Sequence, residues 1–338
     1  MTQTDPATNE VTQPDSETGG GSPLVSVVLP TYGRNERLRT AIESVIDQTY
    51  GNIELLIVDD GSPTPITKTL DDLSFDRLES VTFVRHNENR GANVARNTGI
   101  RVSNGKYIAF LDDDDHWHET KIARQIDAFT EADSEVGVVY TGLQATNPNG
   151  TTVTTPTVGG DVVKDLLVGK TFGQFSSVMV DADVIDAAGL LDERFPAWQD
   201  REWFFRLAQH CQFKPLQETL TYRRTGLPDS IGKNFERKRD VAYPLFVEKH
   251  YPLAREYGLY YARAFLASLR RTLGRSAIRA GQYREARKYF LLSFAANPLY
   301  RPVYVHLLAS IGGKWTYKPA QLLRRTVGSI RSRLGVTS

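Results

Sequence analysis

Residues 24–62 read LVSVVLPTYGRNERLRTAIESVIDQTYGNIELLIVDDGS. Leu24 to Leu29 are apolar and mostly β-branched apart from Ser26, and Pro30 ends the run, which is typical of a buried strand. An amphipathic helical pattern follows, and a second apolar run from Ile53 to Val58 ends in Asp59-Asp60-Gly61-Ser62. Strand, helix and strand in this order indicate a βαβ unit, whose two strands run parallel.

The alternation of helical and strand patterns continues towards the carboxyl terminus. Thr69 to Leu78 and Ala92 to Val102 have helical patterns, whereas Val81 to Arg85 and Tyr107 to Leu111 have strand patterns. Strands that alternate with helices predict an α/β fold with a parallel sheet that is covered on both faces.

The composition is that of an ordinary globular protein of about two domains, with 338 residues, of which 40% are apolar and 24% charged. A single cysteine excludes an internal disulfide and a multi-thiolate metal site, which is typical of a reducing cytosol. No segment approaches the ~20 apolar residues that span a bilayer. The first 23 residues lack the apolar core of a signal peptide. We therefore expect a cytoplasmic protein.

The charge divides the chain into unlike parts. Residues 1–230 carry 20 Lys and Arg against 35 Asp and Glu, and residues 231–338 carry 21 against 5, so the net charges are −15 and +16. We expect a disordered tail over 1–23, an α/β domain over 24–230 and a basic helical region over 231–338. Gly281 to Pro298 resembles half of a tetratricopeptide repeat, and a single copy is expected to pack against neighbouring helices.

Polar groups follow each predicted strand at its carboxyl end. They are the segments Pro30–Arg34, Asp59–Ser62, Asn89–Gly91 and Asp112–Asp115. In an open parallel sheet these ends meet at one edge, where ligands bind. An aromatic ring, carboxylates and arginines together suit a nucleotide, because they can stack on a base, bond to a ribose and neutralise a phosphate.

Four consecutive aspartates, Asp112 to Asp115, repel one another unless a cation neutralises them. Mg²⁺ and Mn²⁺ take oxygen ligands, usually one or two carboxylates and substrate phosphates. The alternative is a solvated acidic turn before the helix that begins near Glu119. The position directly after a buried strand favours the cation site.

These segments, with three later ones, resemble the family 2 glycosyltransferases in order and spacing over residues 24–225. The matching motifs are Ser26-Val-Val-Leu-Pro-Thr-Tyr-Gly-Arg34, Val58-Asp-Asp-Gly-Ser62, Asn89-Arg-Gly91, Ala95-Arg-Asn97, Phe110-Leu-Asp-Asp-Asp-Asp-His-Trp117, Gly189-Leu-Leu-Asp-Glu193 and Trp198-Gln-Asp-Arg-Glu-Trp203. The resemblance implies a GT-A fold, in which a Rossmann-like nucleotide-binding half joins an acceptor-binding half. It also implies inverting transfer of a sugar from a nucleoside-diphosphate sugar.

The resemblance assigns a nucleotide-binding set and one metal ligand. The nucleotide-binding residues are Pro30, Thr31, Tyr32, Arg34, Asp60, Arg90, Asp112 and Asp113. Tyr32 would lie against the base, which would also bond to Asp60, and Arg90 would face the diphosphate. Asp113 would contact the ribose side, and Asp114 would bind the divalent cation, Mg²⁺ or Mn²⁺. Arg96 is either a second diphosphate contact or a structural partner of a strand-end carboxylate.

Asp200 matches the catalytic base of the family. A carboxylate on the acceptor face can take the hydroxyl proton as the new bond forms. The alternative is that Asp200 caps the helix that starts at this point. Trp198 and Trp203 are candidates either for an acceptor-sugar platform or for the core. Many relatives have a histidine where this chain has Thr225, so Arg223, Arg224 or water is expected to replace that phosphate or metal contact.

The preferred hypothesis is a hexosyltransferase that uses a UDP- or GDP-sugar as donor and a hydroxyl group as acceptor. The acceptor would be a lipid-linked or other glycan in the assembly of a surface glycan or a glycoprotein. A variant uses a polyprenyl phosphate, which needs no strong base. A basic scaffold that binds nucleic acid would leave the ordered carboxylates unexplained, so we expect no nucleic-acid partner.

The end of the chain predicts peripheral contact with the inner face of the cell membrane. Leu322, Leu323, Val327, Ile330 and Leu334 form an apolar helical face among arginines. Such a helix lies in the lipid interface with its cations near anionic headgroups. The alternative is that the arginines pair with the acidic domain.

Overall fold

The computed structural model describes residues 21–66, 70–148, 150–225 and 235–310. The strands in chain order are β1 Val25–Thr31, β2 Ile53–Asp59, β3 Ser80–Arg85, β4 Tyr107–Phe110, β5 Asp115–Trp117, β6 Val136–Asn147, β7 Gly150–Thr154, β8 Val178–Asp181 and β9 Gln212–Arg224. The α-helices are α1 Asn35–Ile46, α2 Ala92–Val102, α3 Lys121–Thr130, α4 Val163–Leu167, α5 Ala182–Ala188, α6 Gln199–Leu207, α7 Phe235–Arg237, α8 Tyr243–Glu256, α9 Leu259–Arg279, α10 Tyr283–Ala296 and α11 Pro302–Ser310.

The strands form one mixed sheet in the order β3-β2-β1-β4-β8-β6-β9-β5, and β7 pairs with β6. β1 to β4 are parallel to one another, as the alternating pattern predicts. The second half departs from the predicted parallel sheet, because β8 is antiparallel to both β4 and β6, and β5 is antiparallel to β9. This mixed half lies beside the strand ends that carry the polar segments.

Two apolar cores cover the sheet. One packs α1 and α3 against β1 and β2 through residues such as Leu38, Ile42 and Ile122. The other packs α6 against β4 and includes Trp203 and Phe110, whose rings meet edge to face. Burial of both faces explains why β1 and β2 are apolar along their whole length, with every residue buried.

The predicted helix over Thr69 to Leu78 is wrong for residues 71–78, which form turns. The Ser74 hydroxyl donates to Asp76, and the Leu78 amide donates to the carbonyl of Phe75. Short polar side chains that bond locally compete in this way with a helix.

The basic region over residues 231–338 is helical where it is described, and it shares the second core with the α/β domain. Phe246 and Phe265, from α8 and α9, lie in that core together with Phe205 of α6. A third cluster joins Phe235 and Phe290, so the helix with the repeat-like pattern, α10, packs on its neighbours as expected.

In the described part of the chain, no helix is both long and apolar enough to cross a bilayer. The first 20 residues of the predicted disordered tail and the predicted membrane-binding face, Leu322 to Leu334, lie outside the described residues.

Candidate active site

A cleft of about 1460 Å³ opens at the carboxyl edge of β1, β2 and β4. All the nucleotide-binding and metal-binding residues predicted above line it: Pro30, Thr31, Tyr32, Arg34, Asp60, Arg90, Asp112, Asp113 and Asp114. The Tyr32 side chain is 45% exposed, so its ring is available to a base. The structure therefore brings together the groups that the strand ends predict, and their individual roles stay predictions.

Asp113 ties the aspartate run to the turn after β1. Its Oδ2 accepts a hydrogen bond of 2.8 Å from the Thr31 hydroxyl, and its Oδ1 accepts one of 2.9 Å from Arg34 Nη1. Arg34 also lies 3.2 Å from Asp114 Oδ2. Burial raises the pKa of Asp113, although Arg34 and Thr31 oppose the shift. Asp113 is thus held by the turn after β1, and its contact with the ribose stays a prediction.

Asp112, Asp114 and Asp115 form the metal-ligating group of this site. Their carboxylate oxygens lie within 4.8 Å of one another. Burial and then Asp112 raise the pKa of both Asp114 and Asp115, and the shift is large for Asp115. Asp115 Oδ1 is buried without a hydrogen-bond partner in the described structure. Three clustered carboxylates with an unsatisfied buried oxygen fit a hard divalent cation.

The family motif predicts Asp114 as the metal ligand, but it does not indicate Asp115 or the groups that orient Asp115. Ser176 Oγ donates to Asp115 Oδ2 over 2.6 Å, and Gln174 Nε2 donates to the same oxygen over 3.0 Å. Ser176 Oγ also accepts from the Asp112 amide at 3.1 Å. Ser176 lies in the short 3₁₀ helix Phe175–Ser177 before β8, and Gln174 is its N-cap. Both are far from the aspartates in sequence, so no local pattern pointed to them.

Asp60 shapes the loop that carries Arg90. Its carboxylate accepts hydrogen bonds from the amides of Arg90 and Gly91, at 3.0 and 2.7 Å, and lies 2.7 Å from His86 Nδ1. Gly61 permits this approach, because it has φ +75° and a Cβ there would lie 2.5 Å from the carbonyl carbon of Glu88. The structure thus gives Asp60 a loop-holding role besides its predicted base contact.

Asp200 lies in the first turn of α6. Its Oδ1 accepts from the Arg201 amide at 2.7 Å, while Trp198, the residue at the N-cap, has the left-handed φ of 61° that is uncommon outside glycine. Burial raises the pKa of Asp200, and the charges that act on it include Arg96, Asp112 and Arg223. Asp200 is therefore within electrostatic reach of the aspartate run, and it also bonds to the start of its own helix.

Three arginines near these carboxylates bear on alternatives left open above. Arg96 pairs with Asp112 and stacks on Phe175, 3.9 Å from the ring centre, as a structural partner of a strand-end carboxylate would, and it also lines the cleft. Arg223 bonds to Gln174 and lies 3.9 Å from Asp115. Arg224 is exposed and lines the cleft beside Thr225, so it is better placed than Arg223 to meet a phosphate.

The two tryptophans near Asp200 differ in burial. Trp203 is completely buried and donates to the carbonyl of Gly189, so it is a core residue and no sugar platform. Trp198 is half-buried and meets Phe246 of α8 edge to face.

Ion pairs tie the Gly189–Glu193 and Trp198–Trp203 motifs to the basic region. Lys249 Nζ bridges Asp192, at 2.8 Å, and the buried Glu202, at 2.7 Å. Burial alone would raise the pKa of Glu202, but His250, Arg206 and Lys249 beside it hold that pKa at about 2.

Residues 26–183 match the family model described as glycosyl transferase family 2. The chain carries a family 2 glycosyltransferase domain. The match covers β1 to β8, and with them all the nucleotide-binding and metal-binding residues predicted from the sequence. The resemblance on which the motif analysis relied is confirmed.

Curated relatives of this glycosyltransferase domain match over part of their length. WfaP of Escherichia coli, a UDP-Glc:α-D-GlcNAc-diphosphoundecaprenol β-1,3-glucosyltransferase, is 37% identical over 103 residues, 30% of this chain and 40% of WfaP. TuaG of Bacillus subtilis, a putative teichuronic acid biosynthesis glycosyltransferase, is 34% identical over 130 residues, 38% of this chain and 50% of TuaG. The chain spans between 27% and 40% of the length of the first four curated relatives it matches.

Among solved structures, residues 1–349 of TarS from S. aureus in complex with UDP superpose with a TM-score of 0.54 at 14% identity, over 86% of this chain and 92% of TarS 1–349. At this identity the likeness concerns the fold alone. The glycosyltransferase domain has the predicted GT-A fold, with helices after it.

Proposed function

We propose that this chain is an inverting glycosyltransferase, which moves a hexose from a UDP- or GDP-sugar to a hydroxyl of a glycan acceptor. One observation carries the proposal. The cleft joins an exposed aromatic ring, Tyr32, and two carboxylates of the metal-ligating group, Asp112 and Asp114, and Asp200 lies within electrostatic reach of Asp112. The aromatic ring suits a nucleotide base, the carboxylates suit the cation of a diphosphate, and Asp200 suits an acceptor hydroxyl.

Asp200 is the proposed general base. A carboxylate whose pKa is raised by burial binds a proton more readily, so it can take the hydroxyl proton of the acceptor as oxygen attacks the anomeric carbon. Tyr32 holds the base and Asp113 the ribose, which fixes the donor sugar between them and Asp200. Asp112, Asp114 and Asp115 would hold Mg²⁺ or Mn²⁺, which would neutralise the departing diphosphate.

The proposed acceptor is a lipid-linked glycan in the assembly of a surface polysaccharide or glycoprotein. The name of WfaP specifies a diphosphoundecaprenol-linked sugar as its acceptor, and that of TuaG specifies teichuronic acid biosynthesis. A lipid-linked acceptor agrees with peripheral binding at the inner face of the membrane. Deletion of residues 318–338 is then expected to abolish flotation with anionic liposomes, and equal flotation of the truncated and full-length proteins would contradict that role.

The test of the function is a thermal-shift panel of nucleoside diphosphates and nucleotide sugars, with and without Mn²⁺. A ligand that binds only the native state raises the melting temperature by mass action. We expect uracil or guanine nucleotides to do so in the presence of Mn²⁺, and adenine nucleotides to act as the matched control. A protein that no nucleotide stabilises is not a nucleotide-sugar transferase.

The stabilising nucleotide sugar then serves as donor in a transfer assay. Lipid-linked sugars and free glycans with hydroxyl groups form one arm, and polyprenyl phosphate forms the other. Transfer to polyprenyl phosphate that survives Asp200→Asn would favour the variant reading with an ionised acceptor.

A further inference from the structure

The 3₁₀ helix that orients Asp115 is itself held by a buried tryptophan. Trp117 Nε1 donates a hydrogen bond of 2.7 Å to the carbonyl of Ser176. The Ser176 hydroxyl in turn donates to Asp115 Oδ2 over 2.6 Å. Asp115 and Trp117 are both buried and lie two positions apart on β5, so their side chains share one face of that strand. The indole and the metal-ligating carboxylate are therefore joined through a single residue.

A completely buried lysine lies behind this tryptophan. Lys121 Nζ is 4.0 Å from the centre of the Trp117 ring and donates to Gln125 Oε1 over 2.6 Å. Because the amide oxygen of Gln125 faces this donor, Nε2 faces two backbone carbonyls, that of Val139 at 2.8 Å and that of Ser177 at 3.3 Å. Lys121 thus sets the direction of an amide that bonds to the same 3₁₀ helix as Trp117.

The burial of Lys121 is unfavourable for stability. Burial lowers the pKa of its amine well below the usual range, and no charged neighbour opposes that shift. In the part of the chain that the structure describes, no carboxylate lies within 4.0 Å of its nitrogen. An apolar side chain of the same length would avoid the cost of removing this group from water. What the lysine adds is the hydrogen bond that orients Gln125.

We propose that Trp117, Lys121 and Gln125 are positioning residues for the divalent cation of this site. They hold the 3₁₀ helix where it and its N-cap donate two hydrogen bonds to Asp115. The inference rests on the proposed function and adds three residues, all outside the cleft lining, that set the affinity for the cation. None of them binds the cation itself. Trp117 and Gln125 act through backbone carbonyls of the 3₁₀ helix, and Lys121 acts through Gln125.

The Ser176 carbonyl also has a second donor. Thr221 Oγ1 lies 3.3 Å from it, farther away than Trp117 Nε1. When the indole donor is removed, the carbonyl therefore keeps the longer bond and is not left without a partner. We expect the 3₁₀ helix to shift and not to unfold, which weakens the hold on Asp115 while the fold is retained.

The experiment measures the affinity of the full-length protein for Mn²⁺. The protein is kept in slight excess over UDP or GDP, whichever binds, and free Mn²⁺ is followed by its electron paramagnetic resonance signal. Trp117→Phe keeps a buried ring and removes the indole N–H, and Lys121→Met keeps the length of the side chain and removes the donor. Tyr140→Phe is the matched control, because Tyr140 is similarly buried and its hydroxyl donates to the carbonyl of Val158, outside this network.

We expect Trp117→Phe to bind Mn²⁺ about fivefold more weakly, less than for the loss of a bond made directly to a metal ligand, and Lys121→Met to lose less still. The melting temperature of Lys121→Met should not fall, because an apolar group replaces the buried amine. Affinity for the nucleoside diphosphate without Mn²⁺ should not change in either variant. Tyr140→Phe should match the wild type in its affinity for Mn²⁺.

A double-variant cycle tests the route of the effect. If Trp117 acts through the 3₁₀ helix, Trp117→Phe combined with Ser176→Ala should lose less Mn²⁺ affinity than the product of the two single losses, because both changes disturb the same contact with Asp115. Two independent effects would multiply.

Three results would overturn the proposal: full Mn²⁺ affinity in Trp117→Phe, single losses that multiply in the double variant, or an equal loss in Tyr140→Phe. If Trp117→Phe does not fold, Lys121→Met decides, and full Mn²⁺ affinity in that variant overturns the proposal. A fall in both the melting temperature and the Mn²⁺ affinity of Lys121→Met would make the lysine a structural residue and overturn its positioning role. A wild type that binds a nucleoside diphosphate but no Mn²⁺ contradicts the cation site, and one that binds neither UDP nor GDP contradicts the proposed function itself.

Discussion

The proposed donor side and the proposed acceptor side of the cleft are built in different ways. On the donor side, each group follows a strand of the βαβ units, and neighbouring segments hold one another, as Asp113 does with Thr31. On the acceptor side, Asp200 belongs to a helix whose position depends on Phe246 and Lys249 from the basic helical region. The first kind of site is encoded in short motifs, whereas the second depends on packing between distant parts of the chain. Substitutions should therefore separate donor binding from acceptor transfer.

Asp200→Asn is the strongest test of that separation. We expect kcat to fall by about 10³, within the range of general acid–base catalysis, because the amide cannot accept the proton. The affinity for the nucleoside diphosphate should remain within about twofold, since Asp200 binds no part of the donor in the ground state. Steady-state kinetics and calorimetry measure the two effects.

The pH profile gives a second readout for Asp200. The base must be ionised to act, so activity falls as the pH drops through its pKa in the folded protein. Because that pKa is raised, the acidic limb should lie at a higher pH than for an ordinary aspartate, and Asp200→Asn should remove it. Asp186→Asn, on the exposed side of α5, is the matched control. Near-normal turnover of Asp200→Asn with a hydroxyl acceptor would show that the base is another group.

The same contrast explains how much could be predicted from the sequence. The apolar runs and strand-end motifs predicted β1 to β4, helix Ala92–Val102 and the residues that line the donor side. They missed Ser176, which bonds to Asp112 and Asp115 although it lies more than 60 positions further along the chain. They also missed Arg279, which lines the cleft from the end of α9, because nothing in a helical pattern tells which end of the helix meets the cleft. Contacts between distant segments leave no local periodicity.

Asp114→Asn should weaken both donor binding and turnover, in contrast to Asp200→Asn. Loss of one carboxylate from the metal-ligating group removes charge stabilisation of several kcal/mol, which is about 100-fold in activity. Nucleoside diphosphate affinity measured with Mn²⁺ should fall with it, and affinity without Mn²⁺ should not. The exposed Asp133→Asn is the control. Full turnover after exhaustive chelation, with no metal retained, would contradict a metal-dependent mechanism.

Ser176→Ala tests whether the 3₁₀ helix before β8 orients the donor-side cation. The Ser176 hydroxyl donates to Asp115, which would hold the cation together with Asp112 and Asp114. The alanine variant lacks this hydroxyl, so the Asp115 carboxylate is less firmly oriented. Loss of such a supporting bond typically lowers metal affinity by about 10- to 100-fold. We expect the low end of this range, about 10-fold, because Gln174 still bonds to Asp115. The Mn²⁺ concentration for half-maximal activity should rise, and saturating Mn²⁺ should restore kcat. Ser103→Ala, at the end of α2, should change neither quantity.

Lys249→Met is the smallest change and the most direct test of the acceptor side. The methionine keeps the length of the side chain but removes the ammonium group that joins Asp192 to Glu202. Glu202 keeps its bonds to Arg206 and its contact of 3.4 Å with His250, so the free energy of unfolding should fall by only about 1–3 kcal/mol, the worth of hydrogen bonds to a charged group. Denaturant unfolding measures this loss, with the exposed Lys164→Met as the control. Since α6 carries Asp200, transfer to the acceptor should slow severalfold while nucleoside diphosphate affinity stays unchanged. If donor affinity falls as much as transfer does, the two sides of the cleft are coupled, and the division between a motif-encoded side and a packing-dependent side is wrong.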